Sequence, residues 1–497
     1  MYGEKRLKFA ALLLALLMLV LGLSSCKDQK NQPSGSSEKN TGETSENRLP
    51  IPVEAEDNDM RDFKILMPET NTIDVPTEEG GNFVSQTLFC ADSKVEGHLG
   101  VIISYSAIPG NWKNKNTFNN RLMGMSLSDY SEFDLVMAET SASYSYALQN
   151  GLVMDLTQIK ELTLTNPWYL DNMVETYGIN GKLFGARSDA SLTTYESLNV
   201  IYFNTEMIAR LSLNDPYELV RENKWTAEEM FNMALEVTGN SSDQVDLAAG
   251  TFGYLGQHVA SRGYMVAFDV NLVEKSGEDG NYYLKKSADE ILIYKWTYLY
   301  NLFDQHPTQI YSPVAADAEL GEKAFAEGRS LFYNGFFSHA PTFVKSEGVQ
   351  WGVVPMPMYN IEQGRYYTPA GTQAMMLMIM TNAYKTGLSA KVLELKSYYN
   401  YYEAVPKYYE ETLGYQYGTS QVHIEMMNLI RQTATLTFIG AMCDDLSPSP
   451  YNMFSMDDYI RKTGETAACL KGSLSNWYST NVDSWNAHLK DLYDHLK

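Results

Sequence analysis

Short apolar segments with polar neighbours recur through the first part of the chain that follows a polar N-terminal stretch. This pattern predicts strands near 62–67, 99–105 and 133–138, and helices near 82–95, 117–125 and 141–149. Strands that alternate with helices are typical of βαβ units in an α/β fold with a mainly parallel sheet. Because ligands lie beyond the carboxyl ends of such strands, the loops 106–112 and 139–144 are candidate ligand loops.

The later part of the chain has more helical patterns. Two strands are predicted at 181–186 and 199–203, and capping boxes at Thr226–Glu229 and Ser287–Glu290 each predict the start of a helix. From Ala390 onward the pattern is helical. The region after the polar N-terminal stretch is too long for one compact core, which predicts two domains or lobes.

The first 26 residues have the layout of a secretory signal. Basic residues within the first eight positions precede an apolar run from Phe9 to Leu23, which is shorter than the roughly 20 residues that span a membrane. The Leu-Ser-Ser-Cys sequence that ends at Cys26 resembles a bacterial lipobox. We therefore predict a lipoprotein signal peptide over 1–25 and lipidation of Cys26; an ordinary signal peptide is the alternative.

The segment 26–59 is rich in Ser, Asn, Glu and Lys and is almost free of apolar side chains. Such a segment cannot bury enough surface to compensate for the entropy lost on ordering, so we predict a disordered linker. The globular body is then expected to begin near Met60. The lipid at Cys26 would hold it on the extracytoplasmic face of the bacterial cell membrane, with no other contact to the membrane.

Charge narrows the range of partners. Without residues 1–25 the chain retains 35 basic and 60 acidic groups, a net charge of −25. Because this field repels phosphate backbones and anionic membranes, we do not expect nucleic-acid binding. A neutral or cationic small molecule suits the bulk charge better than an anion, unless a local patch outweighs it. The 35 tyrosines include rings that would suit a sugar-binding cleft.

Cysteine and histidine usage gives no sign of a metal site. A disulfide between Cys443 and Cys469 and a set of buried thiols that includes Cys90 are both compatible with the sequence. No histidine has ligand spacing to a cysteine, so neither a metal nor another cofactor is expected.

Motifs of known catalytic families are also missing from the sequence. It contains no His-Glu-x-x-His, no Gly-x-Ser-x-Gly and no phosphate-binding glycine loop. We therefore do not expect an enzyme. A secreted carbohydrate-active enzyme of the glycosidase kind is the alternative, because its two carboxylates need no local motif.

Four stretches, taken in order, resemble the extracellular solute-binding proteins of bacterial ABC importers, in particular the sugar-binding lipoproteins of family 1. They are 133–136 with 151–156 (FDLV, GLVMDL), 181–185 with 200–204 (GKLFG, VIYFN), 215–219 with 224–226 (DPYEL, KWT), and 324–336 with 351–357. The resemblance covers about residues 60–400 and is weak over 433–472. It implies a two-lobed periplasmic-binding-protein-like α/β fold of type II, with crossing hinge strands and a helical C-terminal part.

The resemblance also implies a division of the chain. The crossings would lie near 199–204 and 353–357. Lobe 1 would comprise 60–198 and 355–400, and lobe 2 would comprise 204–353 and 401–497. A solute, above all an oligosaccharide or other carbohydrate, would bind between the lobes of a monomer and stabilise a closed form that the ABC permease subunits recognise. A surface sensor or adhesin with the same body is a further alternative.

Ten residues are candidates for binding the solute, because aromatic rings stack on sugar rings and polar groups bind hydroxyls. They are Trp112, Glu139, Arg187, Asp189, Tyr195 and Glu196 in lobe 1, and Tyr254, Arg262, Phe336 and Phe337 in lobe 2. Core packing is the alternative for each aromatic residue. A surface ion pair is the alternative for Arg187 with Asp189, and a hinge hydrogen bond for Glu196. Replacing Phe337 with Ala is expected to weaken binding while leaving the fold intact.

Overall fold

A computed structural model describes most of the chain beyond the predicted signal and linker. The described residues are 48–78, 82–171, 173–237, 245–257, 259–313, 317–413, 421–444, 446–456 and 474–497. The predicted signal peptide, Cys26 and the first part of the predicted linker lie outside them. Residues Ile51–Lys497 form one compact unit, distinct from Met1–Pro50.

Thirteen strands are present in the described part of the chain. In chain order they are β1 (Arg61–Pro68), β2 (Val101–Ile108), β3 (Leu135–Glu139), β4 (Asn199–Asn204), β5 (Phe252–Gly256), β6 (Val273–Lys275), β7 (Tyr282–Leu284), β8 (Ile310–Tyr311), β9 (Ser330–Phe336), β10 (Trp351–Pro355), β11 (Thr368–Pro369), β12 (Met375–Met378) and β13 (Ala434–Thr435).

The α-helices connect and cover these strands. They are α1 (Phe83–Leu99), α2 (Lys115–Ser126), α3 (Ser145–Gln149), α4 (Met173–Tyr177), α5 (Thr193–Glu196), α6 (Thr205–Leu211), α7 (Pro216–Arg221), α8 (Ala227–Leu235), α9 (Gly263–Ala267), α10 (Glu290–Gln305), α11 (Ala318–Ala326), α12 (Ala340–Lys345), α13 (Thr386–Tyr399), α14 (Val405–Leu413), α15 (Gln421–Gln432), α16 (Phe438–Met442) and α17 (Leu474–His495).

The first sheet has the strand order β12-β3-β1-β2. Strand β1 is parallel to both β2 and β3, and β12 joins the edge antiparallel to β3. The parallel strands are linked through α1 and α2, as the alternating pattern predicts, and every residue of β3 is buried. The three predicted strands and the first two predicted helices are therefore confirmed, with shifts of a few residues at their ends. The predicted helix 141–149 begins as a π-helical turn, Thr140–Tyr144, before α3.

The second sheet has the order β10-β4-β9-β5-β8. One side of this sheet is parallel, because β5 runs parallel to β8 and β9, whereas β4 lies antiparallel between β9 and β10. The chain leaves the first sheet after Ala186, which bridges to Leu377, and enters β4 at Asn199. It leaves β10 at Pro355 and returns to the first sheet at Met375. The two passages, 187–198 and 356–374, connect the sheets.

Two local expectations differ from the structure. The predicted strand 181–186 makes only isolated bridges, and its Gly185 lies so close to β12 that a Cβ there would be 2.6 Å from Met376 Cγ. Helix α8 begins at the predicted cap, since Thr226 accepts from the Glu229 N–H at 3.3 Å. Helix α10 begins at Asp289 instead of Ser287, because Asp289 Oδ1 accepts from the Leu292 N–H at 2.7 Å.

The end of the predicted linker 26–59 is part of the folded body. Val53 is buried, and its carbonyl accepts from His98 Nε2 at 2.8 Å. Glu56 forms an ion pair with Lys391 at 2.6 Å. Local composition indicated disorder here because the few contacts that order this segment are made with residues distant in the chain.

Residues of the C-terminal helical region contact both α1 and the β6–β7 pair. Glu403, between α13 and α14, forms an ion pair with Lys94 of α1 at 2.5 Å, on the side of the first sheet. Helix α17 contacts β7 through Asn486, which donates to the Leu284 carbonyl at 2.9 Å. Cys90 is disulfide-bonded, whereas Cys443 is buried and is not part of a disulfide. Neither the pairing of Cys443 with Cys469 nor a set of buried thiols that includes Cys90 is therefore found. No helix in the described ranges combines the length and the apolar character needed to cross a bilayer.

Candidate functional site

A small cavity lies where the ends of β4 and β9 meet the returning passage 356–374. Its volume is about 30 Å³. We call it the interlobe cavity; it is lined by Asn199, Val259, Arg262, Gly263, Phe336, Pro369, Gly371, Thr372, Gln373 and Tyr451. Two of the predicted ligand residues, Arg262 and Phe336, line it. Arg262 follows β5 and Phe336 ends β9, and these two strands of the second sheet are parallel.

Arg262 is held between the second sheet and the C-terminal part of the chain. Its Nη1 lies 3.8 Å from Asp444 Oδ1, and Thr372 donates to the other carboxylate oxygen of Asp444 at 2.8 Å. The next residue, Gly263, starts α9 so close to β4 that a Cβ would lie 2.3 Å from Asn199 Nδ2. The loop after β5 therefore reaches the cavity only because a glycine follows Arg262.

Glu139 ends β3 on the side of the first sheet. It is buried, and its Oε1 accepts from the Ser141 hydroxyl at 2.8 Å. The Trp112 N–H also donates to its carboxylate. Burial, together with a smaller contribution from the negative charge of Asp444, raises the pKa of the Glu139 carboxyl to about 7. The two predicted ligand loops after β2 and β3 thus meet, and they lie near Asp444.

Trp112 is the most exposed of the ten candidates. Its side chain is 44% exposed, and Lys115 Nζ lies 3.8 Å from the centre of its ring. An exposed ring at the end of β2 is free to stack on a solute, although in this structure a lysine covers one of its faces.

Arg187 begins the first passage between the sheets and is completely buried. Its Nη2 donates to Thr140 Oγ1 and to the Gly371 carbonyl, both at 2.9 Å. Burial lowers the pKa of the guanidinium to about 10. The proposed surface ion pair with Asp189 is not formed, so that alternative is wrong.

Tyr451 lies close enough to Asp444, Arg262 and Arg187 for all three charges to influence its phenol. Burial raises the pKa of its phenol to about 12; Asp444 raises it as well, whereas Arg262 and Arg187 lower it. We refer to Glu139, Arg187, Arg262, Asp444 and Tyr451 as the interlobe cluster. Three of its members were predicted from the sequence.

Asp189 and Tyr195 belong to a different cavity, of about 250 Å³. Tyr195 donates to Asp189 Oδ1, and Arg431 Nη2 lies 3.3 Å from Asp189 Oδ2. Burial raises the pKa of the Asp189 carboxyl to about 6. Tyr401 also lines this cavity, and the Arg431 guanidinium lies 4.5 Å from its ring centre. The structure therefore separates these two residues from the interlobe cavity.

Three further candidates, Tyr254, Phe337 and Glu196, line neither of these two cavities. Glu196 is half-buried. Tyr254 donates to Asn334 within the second sheet at 3.1 Å and is fully buried. Phe337 is also fully buried and packs against Tyr408 and Tyr409. Both aromatic residues are core residues, which corrects the expectation that Phe337→Ala leaves the fold intact. Burial raises the pKa of Glu196 to about 7.

Asp444, Tyr451 and Thr372 were missed by sequence reasoning. Asp444 and Tyr451 lie in 433–472, where the family resemblance is weak, and no local motif marks them. Thr372 lies between the apolar run that forms β12 and the second crossing. No signal in a single sequence places these three residues together, because only the tertiary fold brings them to Arg262.

The interlobe cluster combines two carboxyl groups, two guanidinium groups and a phenol around a partly apolar cavity. Such a mixture donates to and accepts from hydroxyl groups, and Phe336 adds an aromatic face. At about 30 Å³ the cavity is far below the roughly 300–1,000 Å³ of small-molecule sites, so a solute enters only if the two sides separate. No group of acidic, histidine or cysteine side chains in the described ranges is placed to hold a metal ion.

No protein-family model matches the chain, and no curated protein matches it. Solved structures do. The galacto-N-biose-/lacto-N-biose I-binding protein of Bifidobacterium longum is similar with a TM-score of 0.57 and 12% identity, over 88% of this chain and 99% of that one. The fold is that of the solute-binding proteins of ABC transporters.

Two other proteins of solved structure have the same fold. The GacH receptor of Streptomyces glaucescens matches with a TM-score of 0.53 and 14% identity, over 87% of this chain and 99% of that one. The maltose-binding protein MalE of Listeria monocytogenes matches with a TM-score of 0.52 and 12% identity, over 88% and 98%. The predicted two-lobed periplasmic-binding-protein-like α/β fold is confirmed.

Proposed function

We propose that the protein captures a carbohydrate between its two lobes and delivers it to the permease of an ABC importer. The observation that carries this proposal is the interlobe cluster, in which polar groups from both sides of the fold meet at the carboxyl ends of the strands. The fold supports it, since similar proteins were crystallised with lacto-N-biose, acarbose and maltose. Hinge closure would be favoured to the extent that the solute binds the closed form more tightly.

The hinge is proposed to lie in the two passages 187–198 and 356–374. The first passage carries Arg187, a member of the interlobe cluster. The second carries Gly371 and Thr372, which form hydrogen bonds with Arg187 and Asp444 of that cluster. Lobe 1 is proposed to hold the first sheet together with α13 and the segment around Glu403, since Glu403 contacts α1. This extends lobe 1 beyond the boundary at residue 400 expected from the resemblance. Lobe 2 is proposed to hold the second sheet and β6–β7.

The location and partners belong to the same proposal. The body is proposed to act as a monomer on the extracytoplasmic face of the cell membrane, held by a lipid on Cys26 and recognised in its closed form by permease subunits. Replacing Cys26 with Ala is expected to move the protein from the membrane fraction to the soluble fraction and to remove the lipid mass from its N-terminal peptide. Retention of the variant in the membrane fraction would contradict the lipid anchor.

Calorimetric titration of the purified protein with neutral and acidic mono- and oligosaccharides tests the binding function. A binding protein gives a saturable heat of binding, its melting temperature in a separate thermal denaturation rises with sugar concentration, and the sugar remains intact. A glycosidase instead releases products that chromatography detects. Saturable binding with intact sugar is the expected result. Absence of binding across the panel, or release of products, would contradict the proposal.

Arg262→Ala is the variant that ties binding to the interlobe cluster. Because it removes a cavity-lining donor that is paired with Asp444, we expect affinity to fall about tenfold or more. The matched control is Arg221→Ala, which breaks exposed ion pairs on α7 with Glu218 and Glu425. Equal affinity of the two variants would show that the cavity is not the binding site.

A further inference from the structure

Arg187 is a buried cation whose guanidinium has no carboxylate partner. Its Nη2 is hydrogen-bonded to a threonine hydroxyl and to a backbone carbonyl, both neutral acceptors. Its Nε and Nη1 are buried and make no hydrogen bond to any residue that the structure describes. Burying an unpaired charge with unsatisfied donors is unfavourable, so an arrangement of this kind needs a compensating role.

The other fully buried cation in the described chain has such a partner, and so does the half-buried Arg431. Lys396 is fully buried and lies 2.6 Å from Asp92 Oδ1. Arg431 lies 3.3 Å from Asp189 Oδ2. The polar groups that influence Arg187 most strongly are instead two phenols, those of Tyr177 and Tyr451. Of the two fully buried cations in the described part of the chain, Arg187 is therefore the one without a carboxylate partner.

The position of Arg187 places its guanidinium directly behind the interlobe cavity. Both Gly371, which accepts from Arg187 Nη2, and Tyr451 line that cavity. The segment that carries Tyr451 is bound to the side of the second sheet, because the Met456 N–H donates to Ser261 at 2.9 Å. Trp296 of α10 likewise donates to the Met453 carbonyl at 3.1 Å. Separation of the lobes would move Tyr451 away and expose Arg187 to the cleft.

The neighbouring charges do not cancel that of Arg187. Arg262 faces Asp444, so these two groups offset each other. The remaining carboxyl is Glu139, whose pKa burial raises to about 7, so that it is partly protonated at neutral pH. The interlobe cluster therefore accepts an anionic group although the chain as a whole is strongly acidic.

We propose that the solute is an acidic sugar, a monosaccharide or oligosaccharide that carries a carboxylate, and that Arg187 binds this carboxylate. The inference rests on the proposed function, since it names the class of carbohydrate bound at the same site. A guanidinium suits this role because it remains charged when buried and its N–H groups form charge-assisted hydrogen bonds with carboxylate oxygens.

The experiment is a calorimetric comparison of matched sugars on the purified protein. Each pair differs only in the carboxylate: D-galacturonate with D-galactose, D-glucuronate with D-glucose, and an oligogalacturonide with a galacto-oligosaccharide of equal length. The acidic member of at least one pair is expected to bind about tenfold or more tightly than its neutral counterpart. The difference should shrink in Arg187→Gln, which removes the charge, and survive in part in Arg187→Lys, which keeps it.

Arg329→Gln is the matched control. Arg329 also donates to two backbone carbonyls, those of Gly250 and Leu247, but lies away from the interlobe cavity. This variant should keep the wild-type preference. If neutral sugars bind as tightly as their acidic counterparts, or if Arg187→Gln keeps the preference, this inference is wrong while the proposed function stands. If neither series binds, the proposed function is wrong and the inference with it. If Arg187→Gln does not fold, the comparison of acidic with neutral sugars on the wild-type protein still tests the preference for a carboxylate.

Discussion

Two buried polar regions of this protein differ in how completely their groups are paired. Behind the first sheet, the carboxylate of Glu394 is fully buried and accepts from Trp168 Nε1 at 3.2 Å and from the Tyr169 hydroxyl at 2.6 Å. Asn166 and the Thr163 N–H also donate to it. In the interlobe cluster, by contrast, Nε and Nη1 of Arg187 and Nε of Arg262 form no hydrogen bond with any residue in the described ranges.

The difference separates structural polar groups from groups that are available to a solute. A buried polar group that only stabilises the fold is satisfied by its neighbours, because each unsatisfied donor or acceptor has a desolvation cost. Unsatisfied donors around a cavity are explained when a ligand completes them. On this view the region around Glu394 is part of the scaffold, and the interlobe cluster is the part of the molecule that is incomplete without its solute.

The largest expected effect is on the buried ion pair between Lys396 and Asp92. Lys396 lies on α13, the same helix as Glu394, and its charge is paired. Lys396→Met leaves the buried Asp92 without its cation, which should lower the free energy of unfolding by about 3–5 kcal/mol. Urea denaturation monitored by circular dichroism measures it. The control is Lys490→Met, which breaks an exposed pair with Asp494 and should change stability by less than about 1 kcal/mol. Similar losses in the two variants would show that burial of the pair does not matter.

A smaller effect is expected for Glu139 and depends on pH. Burial raises the pKa of this carboxyl from 4.5 to about 7, so between these values the native state keeps a proton that the unfolded state has lost. The free energy of unfolding of the wild type should therefore fall as the pH rises from about 5 to 8. Relative to the wild type, the free energy of unfolding of Glu139→Gln should increase by about 2 kcal/mol over that range.

The glutamine keeps an acceptor for the Ser141 hydroxyl, so the comparison isolates the charge. Denaturation curves of both proteins at several pH values provide the measurement. Glu132→Gln, at an exposed carboxylate, is the control. Parallel pH profiles for wild type and Glu139→Gln would mean that Glu139 is not desolvated in the native state.

The smallest effect on stability is expected at Arg187, where replacement of the cation by Met removes a charge that is not paired with a carboxylate of the described chain. Arg187→Met removes two hydrogen bonds but also removes a buried cation that has no carboxylate partner. We expect the free energy of unfolding to change by less than about 1 kcal/mol, in contrast to Lys396→Met, while affinity for an acidic sugar is lost. A loss as large as that of Lys396→Met would assign Arg187 to the scaffold.

Local pattern predicted the elements of the first sheet well. The strand expected at 62–67 is β1, Arg61–Pro68, and the helix expected at 82–95 is α1, Phe83–Leu99. These elements have strong alternation or a clear N-cap, so short-range physics determines them. The apolar stretch 181–186 has a similar composition but forms isolated bridges, because its neighbours in space, and not its own sequence, set its conformation.

The candidate site was predictable only where strand ends mark it. Glu139 and Phe336 end β3 and β9, and Arg262 follows β5. Because ligands lie beyond the carboxyl ends of parallel strands, these positions could be predicted as ligand residues. Asp444 and Tyr451 follow no strand, and their approach to Arg262 depends on the path of the C-terminal helices. Phe337 was chosen beside Phe336, yet adjacent residues at a strand end point to different sides, and Phe337 enters the core.

Small-angle X-ray scattering of the purified protein, with and without the sugar that binds most tightly in calorimetry, tests the central claim most directly. If two lobes close around a solute, the radius of gyration decreases when that sugar saturates the protein, and the Arg262→Ala variant needs more sugar for the same decrease. An unchanged radius of gyration at a sugar concentration that saturates binding would contradict closure of the lobes around the solute.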